Sequence, residues 1–289
     1  LGNEMVRGNI YMYRVSKVLN NNGVIAIEME ENQEYVLLGK GIGFGKKVSQ
    51  RFEAPSDCTR YSLKNDTERG SAASLVKSVD PVFLEIANEV LKEAEHTFGN
   101  IDKRILFPLA DHISFAVARM KNGEQISNPL TGDIRALFYK EFQVASVLKK
   151  ILSDRMQIEI GDDEIGYVAL HVHSAIEDEK VSVAMQMART VRECVSIIEA
   201  ETGKKIDVMT LDYNRLMNHV KYMAARLLRG EELKVNINDY IEIKFPKAFA
   251  IATTVCDHLG ENIGVQPGER EIGYLAMHIE RVYNSGENN

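Results

Sequence analysis

Cysteine is scarce in this sequence: Cys58, Cys194 and Cys256 form an odd set with no Cys-x-x-Cys spacing. A disulfide framework or a structural zinc site would need paired, closely spaced thiols, so three free cysteines and no metal are expected. Long apolar runs are missing too. No stretch approaches the ~18 apolar residues of a membrane-spanning helix, and nothing near the start has the layout of a secretory signal. A cytoplasmic chain without membrane insertion is the expectation. The third absence is an excess of positive charge. Lys and Arg number 35 against 42 Asp and Glu, a formal net charge of −7. Bulk electrostatics therefore cannot recognise nucleic acid, and only local placement of basic groups can do so. Residues 1–55, with seven basic and six acidic side chains, are nearly neutral, and the acidity lies beyond them.

What the sequence does have is a repeat. His112 and His171 stand 59 positions apart, and His219 and His278 reproduce that separation at an offset of 107. Leu109, His112, Arg119 and Gly123 recur as Leu216, His219, Arg226 and Gly230 without a gap. Ile134, Phe138, Lys140, Phe142 and Ala145 recur as Ile241, Phe245, Lys247, Phe249 and Ala252. The closest match is the end of the unit, where Gly161, Glu164, Ile165, Gly166, Tyr167, Ala169 and His171 return as Gly268, Glu271, Ile272, Gly273, Tyr274, Ala276 and His278. Two copies of one domain fill most of the 289 residues, and each keeps two histidines.

Hydropathy patterning divides the chain. From Ile10 to about Phe52 it is that of short strands, with Val24, Ile25 and Ile27 on one run, Tyr35 to Leu38 on the next, and Glu30-Glu31-Asn32-Gln33 as the turn between them. Residues 56–75 lack apolar periodicity and read as a linker. Beyond them, apolar residues at three and four spacing, such as Leu84, Ile86, Val90 and Leu91, predict helices, with Lys121-Asn122-Gly123 as a stop signal. Further helices are predicted over Ile134 to Ile151 and Gly161 to Ile176, with counterparts in the second copy. The fold class is thus multidomain α+β: a small antiparallel β module over 10–55, a linker over 56–75, and two tandem all-α bundles of four or five helices over 76–180 and 181–289. A sheet of about 45 residues buries too little surface to be stable alone, and pairing with a second copy, as a homodimer, would remedy this.

On one helix, positions 112, 116 and 119 share a face, so His112 and Arg119 lie within two turns, as do His219 and Arg226. Glu164 and His171, and Glu271 and His278, are likewise seven apart on one face. A bundle can bring two imidazoles, an arginine and a carboxylate around one pocket in each copy. A single histidine in an amphipathic helix is usually a core residue, but core positions drift to Leu, Met or Phe after duplication, and all four of these remain histidine. Three chemistries are open to them. Metal binding is disfavoured because there is no HExxH and because His171 and His173 point to opposite sides of a helix. Acid–base catalysis is possible with His and Glu, although no nucleophile elbow or cofactor loop accompanies them. Reversible phosphorylation needs an exposed neutral ring nitrogen and is helped by a nearby guanidinium. His96, His173 and His258 have no partner at the repeat offset and read as ordinary residues.

Two strings stand out in the β module: Lys17-Val18-Leu19-Asn20-Asn21-Asn22, and Leu38 to Lys47 with the wording LGKGIGFGKK. Neither a P-loop nor a GxGxxG register fits the glycines. Side-chain amides offer donors and acceptors to base edges, glycines permit close backbone approach, Lys supplies charge and Phe44 a stacking face, a combination suited to unpaired RNA. The plainer reading is an Asn-rich and a Gly-rich turn in a small sheet.

Both strings, together with DHISFAVAR at Asp111 to Arg119, EIGYVALHVH at Glu164 to His173, and LDYNRLMNHV and EIGYLAMHIE in the second copy, resemble the bacterial transcriptional antiterminators of the BglG/SacY/LicT family. The resemblance covers nearly the whole chain, and KGIGFGKK is most similar to the branch that controls glucose permease genes. It implies a co-antiterminator RNA-binding domain followed by two phosphotransferase-system regulation domains, acting as a dimer that clamps a nascent RNA hairpin and so prevents a terminator from forming upstream of sugar transport genes. Carried over by position, RNA contact falls to Lys17, Asn20, Asn22, Gly39, Lys40 and Phe44, and phosphoryl acceptance to His112, His171, His219 and His278, with Asp111, Arg119 and Arg226 in support. The implied partners are RNA, the carrier protein HPr and a sugar permease EII. No cofactor and no catalytic activity are implied. Many members have Arg where this chain has Lys40, which loses bidentate geometry, and Asn218 stands opposite Asp111. Leu1 to Asn9 precede the motif with no assigned role. The alternatives are a metal or acid–base enzyme built on the histidine pockets, and a DNA-binding activator sharing the regulatory repeats.

Overall fold

The computed structural model describes residues 11–64, 66–67, 70–177, 180–206 and 210–284. The stretch Leu1 to Asn9 lies outside the described residues. The chain divides into two compact units. One lies within Leu1–Ile126 and Gln143–Lys180, the other within Ser127–Phe142 and Val181–Asn289.

The first unit opens with an antiparallel sheet of order β4-β1-β2-β3-β5, in which β1 is Met12–Asn20, β2 Gly23–Glu28, β3 Glu34–Leu38, β4 Arg51–Glu53 and β5 Thr59–Ser62. Alternation along β1 to β3 puts Tyr13, Val15, Val24, Ala26 and Leu37 on one face, where Ile42 and Phe52 complete a core. The turn after β2 is held by the buried Glu28 carboxylate, which accepts from the backbone N–H groups of Glu30 and Glu31. The stretch that reads as a linker contains β5, which pairs with β3 in the register Val36 to Tyr61 and Leu38 to Thr59. Residues opposite each other in a ladder share a face, so Ile25, Val36 and Tyr61 line the other side of the sheet.

That second face is covered within the same chain. Tyr61 packs edge-on against Phe107, with ring centroids 6.4 Å apart, and its buried hydroxyl donates to Asn88 Oδ1 at 2.6 Å. Both partners lie on helices, α2 (Pro81–Phe98) and α3 (Leu106–Lys121), which follow a short α1 (Ala72–Ser78). The helices thus supply the apolar cover that the sequence leads one to expect from a second copy. Asp80 caps α2 by accepting from Val82 N–H, Pro81 fits its first turn, and Gly99 at φ 87° ends it. Gly123, at φ 75°, follows α3 as the stop signal predicts.

Periodicity predicts a single helix over Ile134 to Ile151. The structure breaks it into α4 (Thr131–Leu137), α5 (Tyr139–Ala145) and α6 (Val147–Met156), with Phe138 leaving helical geometry at φ −122°, ψ 48°. In the second copy the break after α10 (Asn238–Lys244) falls at Phe245, before Pro246, where the proline ring disfavours helical geometry. The first copy has Tyr139 there and adopts the same break without proline. The first unit closes with α7, Asp162–Glu177, whose first turn carries three acidic residues that suit the helix dipole.

In the second unit, α8 (Val181–Thr202), α9 (Leu211–Arg229), α10, α11 (Pro246–Ile263) and α12 (Glu269–Asn284) pack together with α4. Thr210 caps α9, and Gly230 and Gly264, both at positive φ, terminate α9 and α11. Buried Tyr213 donates to buried Asp133, so α4 belongs to this unit although it lies within the 76–180 segment. Burial pulls the Asp133 carboxyl upward, against the opposing pull of Tyr213 and Arg192. Among the described residues no helix is long and apolar enough to cross a membrane, and the three cysteines are free.

Candidate functional sites

The two unusual strings of the β module meet in space. Gly39 N–H donates to Asn22 O at 2.9 Å, Gly41 N–H to Asn22 Oδ1 at 2.9 Å, and Gly43 N–H to Asn21 O at 2.9 Å. Gly43 is required by contact: a β carbon there would sit 2.0 Å from Asn20 O. Gly41, at φ 70°, is required by its backbone. Around this paired turn Lys17 and Lys40 are exposed, and Phe44 is 75% exposed with its ring in solvent. An exposed aromatic ring offers a face on which a base can stack.

Asn20 and Asn22 are oriented by their own backbone. Asn22 N–H donates to Asn20 Oδ1 at 2.9 Å, and Asn22 Oδ1 is held by Gly41 as above. With both oxygens engaged, both amide nitrogens point outward, and both donate to Glu85 of α2, at 2.6 and 3.1 Å. Nothing in the sequence singles out Glu85.

The histidines pair as the repeat predicts. His112 on α3 and His171 on α7 have ring centroids 5.4 Å apart, with Tyr167 5.8 Å from His112. On α9 and α12, His219 and His278 are closer, at 4.7 Å. Arg119 Nη2 donates to Glu164 Oε1 at 2.7 Å, and the other carboxylate oxygen lies 3.4 Å from His112 Nε2, an ion-pair distance without hydrogen-bond alignment. Burial pulls the Glu164 carboxyl up, but His112 and Arg119 prevail and hold it below the usual range. In the second copy Arg226 clasps Glu271 with two bonds, 2.8 Å from Nε and 2.7 Å from Nη2, in the fork geometry that suits guanidinium and carboxylate. His219 Nε2 has no hydrogen-bond partner among the described residues. Burial, reinforced by His278 and Arg226, pushes the His219 pKa down to about 3, and burial lowers His278 in the same direction.

His112 and His171 are 9% and 4% exposed, because each faces the seam between α3 and α7. His219 and His278 are partly exposed. Asp111 is buried beside His112, whereas its counterpart Asn218 is exposed. His258, which reads as ordinary in the sequence, lies 3.3 Å from Glu193.

Comparison with known proteins assigns these segments. Residues 13–70 match the family described as the CAT RNA binding domain, and residues 84–175 and 192–282 each match the PRD domain. The chain is 29% identical over 283 residues to the "GlcA/glcB genes antiterminator" of Staphylococcus carnosus, covering 96% of this chain and 98% of that one. It is 30% identical to "Protein GlcT" of Staphylococcus haemolyticus, covering 94% and 96%. A solved structure described as GlcT CAT-PRDI superposes with a TM-score of 0.50 at 33% identity, over 57% of this chain and 99% of that one. With its strand-built RNA-binding module and two histidine-bearing helical repeats, the chain belongs to the BglG/SacY/LicT family of bacterial transcriptional antiterminators, RNA-binding regulators under phosphotransferase-system control, and to its GlcT-like group.

Proposed function

We propose that this antiterminator grips an unpaired region of a leader RNA with Lys17, Asn20, Asn22, Gly39, Lys40 and Phe44, and that His112, His171, His219 and His278 accept phosphoryl groups from the phosphotransferase system. The RNA-binding module, expected over 10–55, takes in β5 and reaches toward residue 70, where its family match ends, and the regulatory repeats follow over 76–180 and 181–289. The working state is a cytoplasmic homodimer without catalytic activity of its own. HPr and a sugar permease EII are the phosphoryl donors, with the permease acting through the first repeat to inhibit and HPr through the second to activate.

The observation that carries this reading is the repeated pairing of imidazoles beside an Arg–Glu clasp, His112/His171 with Arg119–Glu164 and His219/His278 with Arg226–Glu271. A phosphoryl dianion on either ring of the first pair would stand against the Glu164 carboxylate and compete for Arg119. The guanidinium would exchange one anion for the other, and the α3–α7 seam would repack. Each charge-assisted bond formed is worth about 1.5 to 3 kcal/mol, so two modified rings reach, at the upper end of that range, the roughly 5.5 kcal/mol that takes an equilibrium from 1:99 to 99:1.

Incubation of the full chain with labelled phosphoenolpyruvate, the general phosphotransferase proteins and HPr, with and without permease, tests it. Label should appear and should vanish when all four histidines are replaced by alanine. Label that survives the quadruple substitution removes the assigned role.

A further inference from the structure

We infer that Glu85 occupies the RNA-binding clamp as an internal stand-in for the transcript, so that the first regulatory repeat masks the β module until α2 withdraws. The inference rests on the proposed assignment of Asn20 and Asn22 as RNA contacts.

The geometry makes these two amides a single two-donor site for one acceptor group. Their oxygens are committed to Asn22 N–H and Gly41 N–H, which fixes each amide plane and leaves the nitrogens to converge. What they converge on is one carboxylate, one oxygen to each. An RNA phosphate or base-edge acceptor would present the same chemistry, an oxygen or nitrogen lone pair at hydrogen-bond distance. Glu85 is not a loosely placed surface acid. Its side chain is 14% exposed, and Arg155 Nη1 stands 3.5 Å from Oε2, the oxygen that also accepts from Asn22. The cleft beside it, about 350 Å³ in volume, is lined by Asn22, Gly39, Lys40, Glu89, Lys92 and Arg155, among others.

Occupation excludes RNA in two ways. The carboxylate fills the position that an acceptor needs, and its charge repels a phosphate brought within a few ångströms. The mask is also tied to the rest of the interface, because Asn88, one turn from Glu85 on α2, holds the Tyr61 hydroxyl. Withdrawal of Glu85 therefore strains or breaks that bond as well. Helix α2 packs along α3, which carries His112, so the masking residue and a candidate phosphoryl acceptor sit on adjacent helices of one unit.

The test uses the full chain and a labelled synthetic RNA hairpin with two internal loops. Glu85→Gln and Glu85→Ala should bind it at least about tenfold more tightly than the unaltered chain, the gain expected when a binding-competent state populated at roughly a tenth becomes dominant. Glu89→Gln, which removes the same charge one turn away and contacts Arg155 but neither asparagine, should change affinity little. Equal gains from Glu85→Gln and Glu89→Gln would reduce the effect to net charge and overturn the mask. Unchanged binding in both Glu85 variants, with Asn22→Ala still weakening binding, would overturn the mask and leave the RNA site standing. If Asn22→Ala has no effect in the Glu85→Gln background, or if no variant binds, the RNA assignment itself fails. Glu85→Gln keeps the volume and one acceptor, so it serves should the alanine variant not fold.

Discussion

Glu271 accepts two parallel hydrogen bonds from Arg226, whereas Glu164 accepts one from Arg119 and turns its second oxygen toward His112. Identical residue types at identical offsets thus build two electrostatically different sites. The first repeat keeps its carboxylate shared between a guanidinium and an imidazole. The second locks it to the guanidinium.

Truncating the two arginines should separate the sites. Arg226→Ala leaves buried Glu271 without its bidentate partner and should cost about 3 kcal/mol, the lower end of what breaking a buried ion pair costs. Arg119→Ala should cost less, since Glu164 then loses one hydrogen bond rather than two. Urea unfolding followed by circular dichroism measures both, and equal losses would show that the second Glu164 contact contributes nothing.

His219 sets a pH dependence whose sign follows from its lowered pKa. A histidine that titrates near 6.5 unfolded and about 3 folded binds its proton first in the unfolded chain, so its contribution to stability is complete above 6.5 and is lost progressively as pH falls toward 3. Between pH 6.5 and 5 the loss should be of order 1–2 kcal/mol, from 1.36 kcal/mol per unit. His219→Gln should flatten the slope in that window. In the intact chain the His219 ring-proton resonance should show no inflection above pH 5, and an inflection near 6.5 would refute the assignment.

Alanine in the glycine loop should be graded. At Gly41 an added methyl meets open space but strains the left-handed backbone, at a cost of roughly 1–2 kcal/mol. Gly43→Ala drives a β carbon into Asn20 O and should lower the melting temperature further while displacing the Asn turn. The reverse order in thermal unfolding would contradict the loop conformation.

Phe44→Ala should weaken binding to the looped hairpin by about 1–3 kcal/mol, the scale of one base–aromatic stack. Its ring touches little of the protein, so the melting temperature should stay the same. Loss of stability without loss of affinity would move Phe44 from the RNA face to the fold.

The histidine sites are largely legible in the amino-acid order. The repeat offset places His112, His171, Arg119 and Glu164 together because helical periodicity turns a spacing of seven into a shared face. It cannot tell that the first pair is buried, since depth depends on how α3 and α7 meet. The strand β5 is hidden because Thr59-Arg60-Tyr61-Ser62 offers one large apolar side chain, as an edge strand can. Phe138 breaks its helix with neither proline nor glycine to announce it. Glu85 is beyond reach for a different reason: an acid in an amphipathic helix reads as a solvated residue, and only the fold reveals that two asparagines point at it.

Because Tyr61 spends its surface on the chain's own helices, an excised sheet ending near Leu63 would leave that flank bare. Such a fragment must recruit a substitute neighbour, most simply another fragment through the same flank. Stoichiometry measured on the isolated sheet would then describe a remedy for amputation.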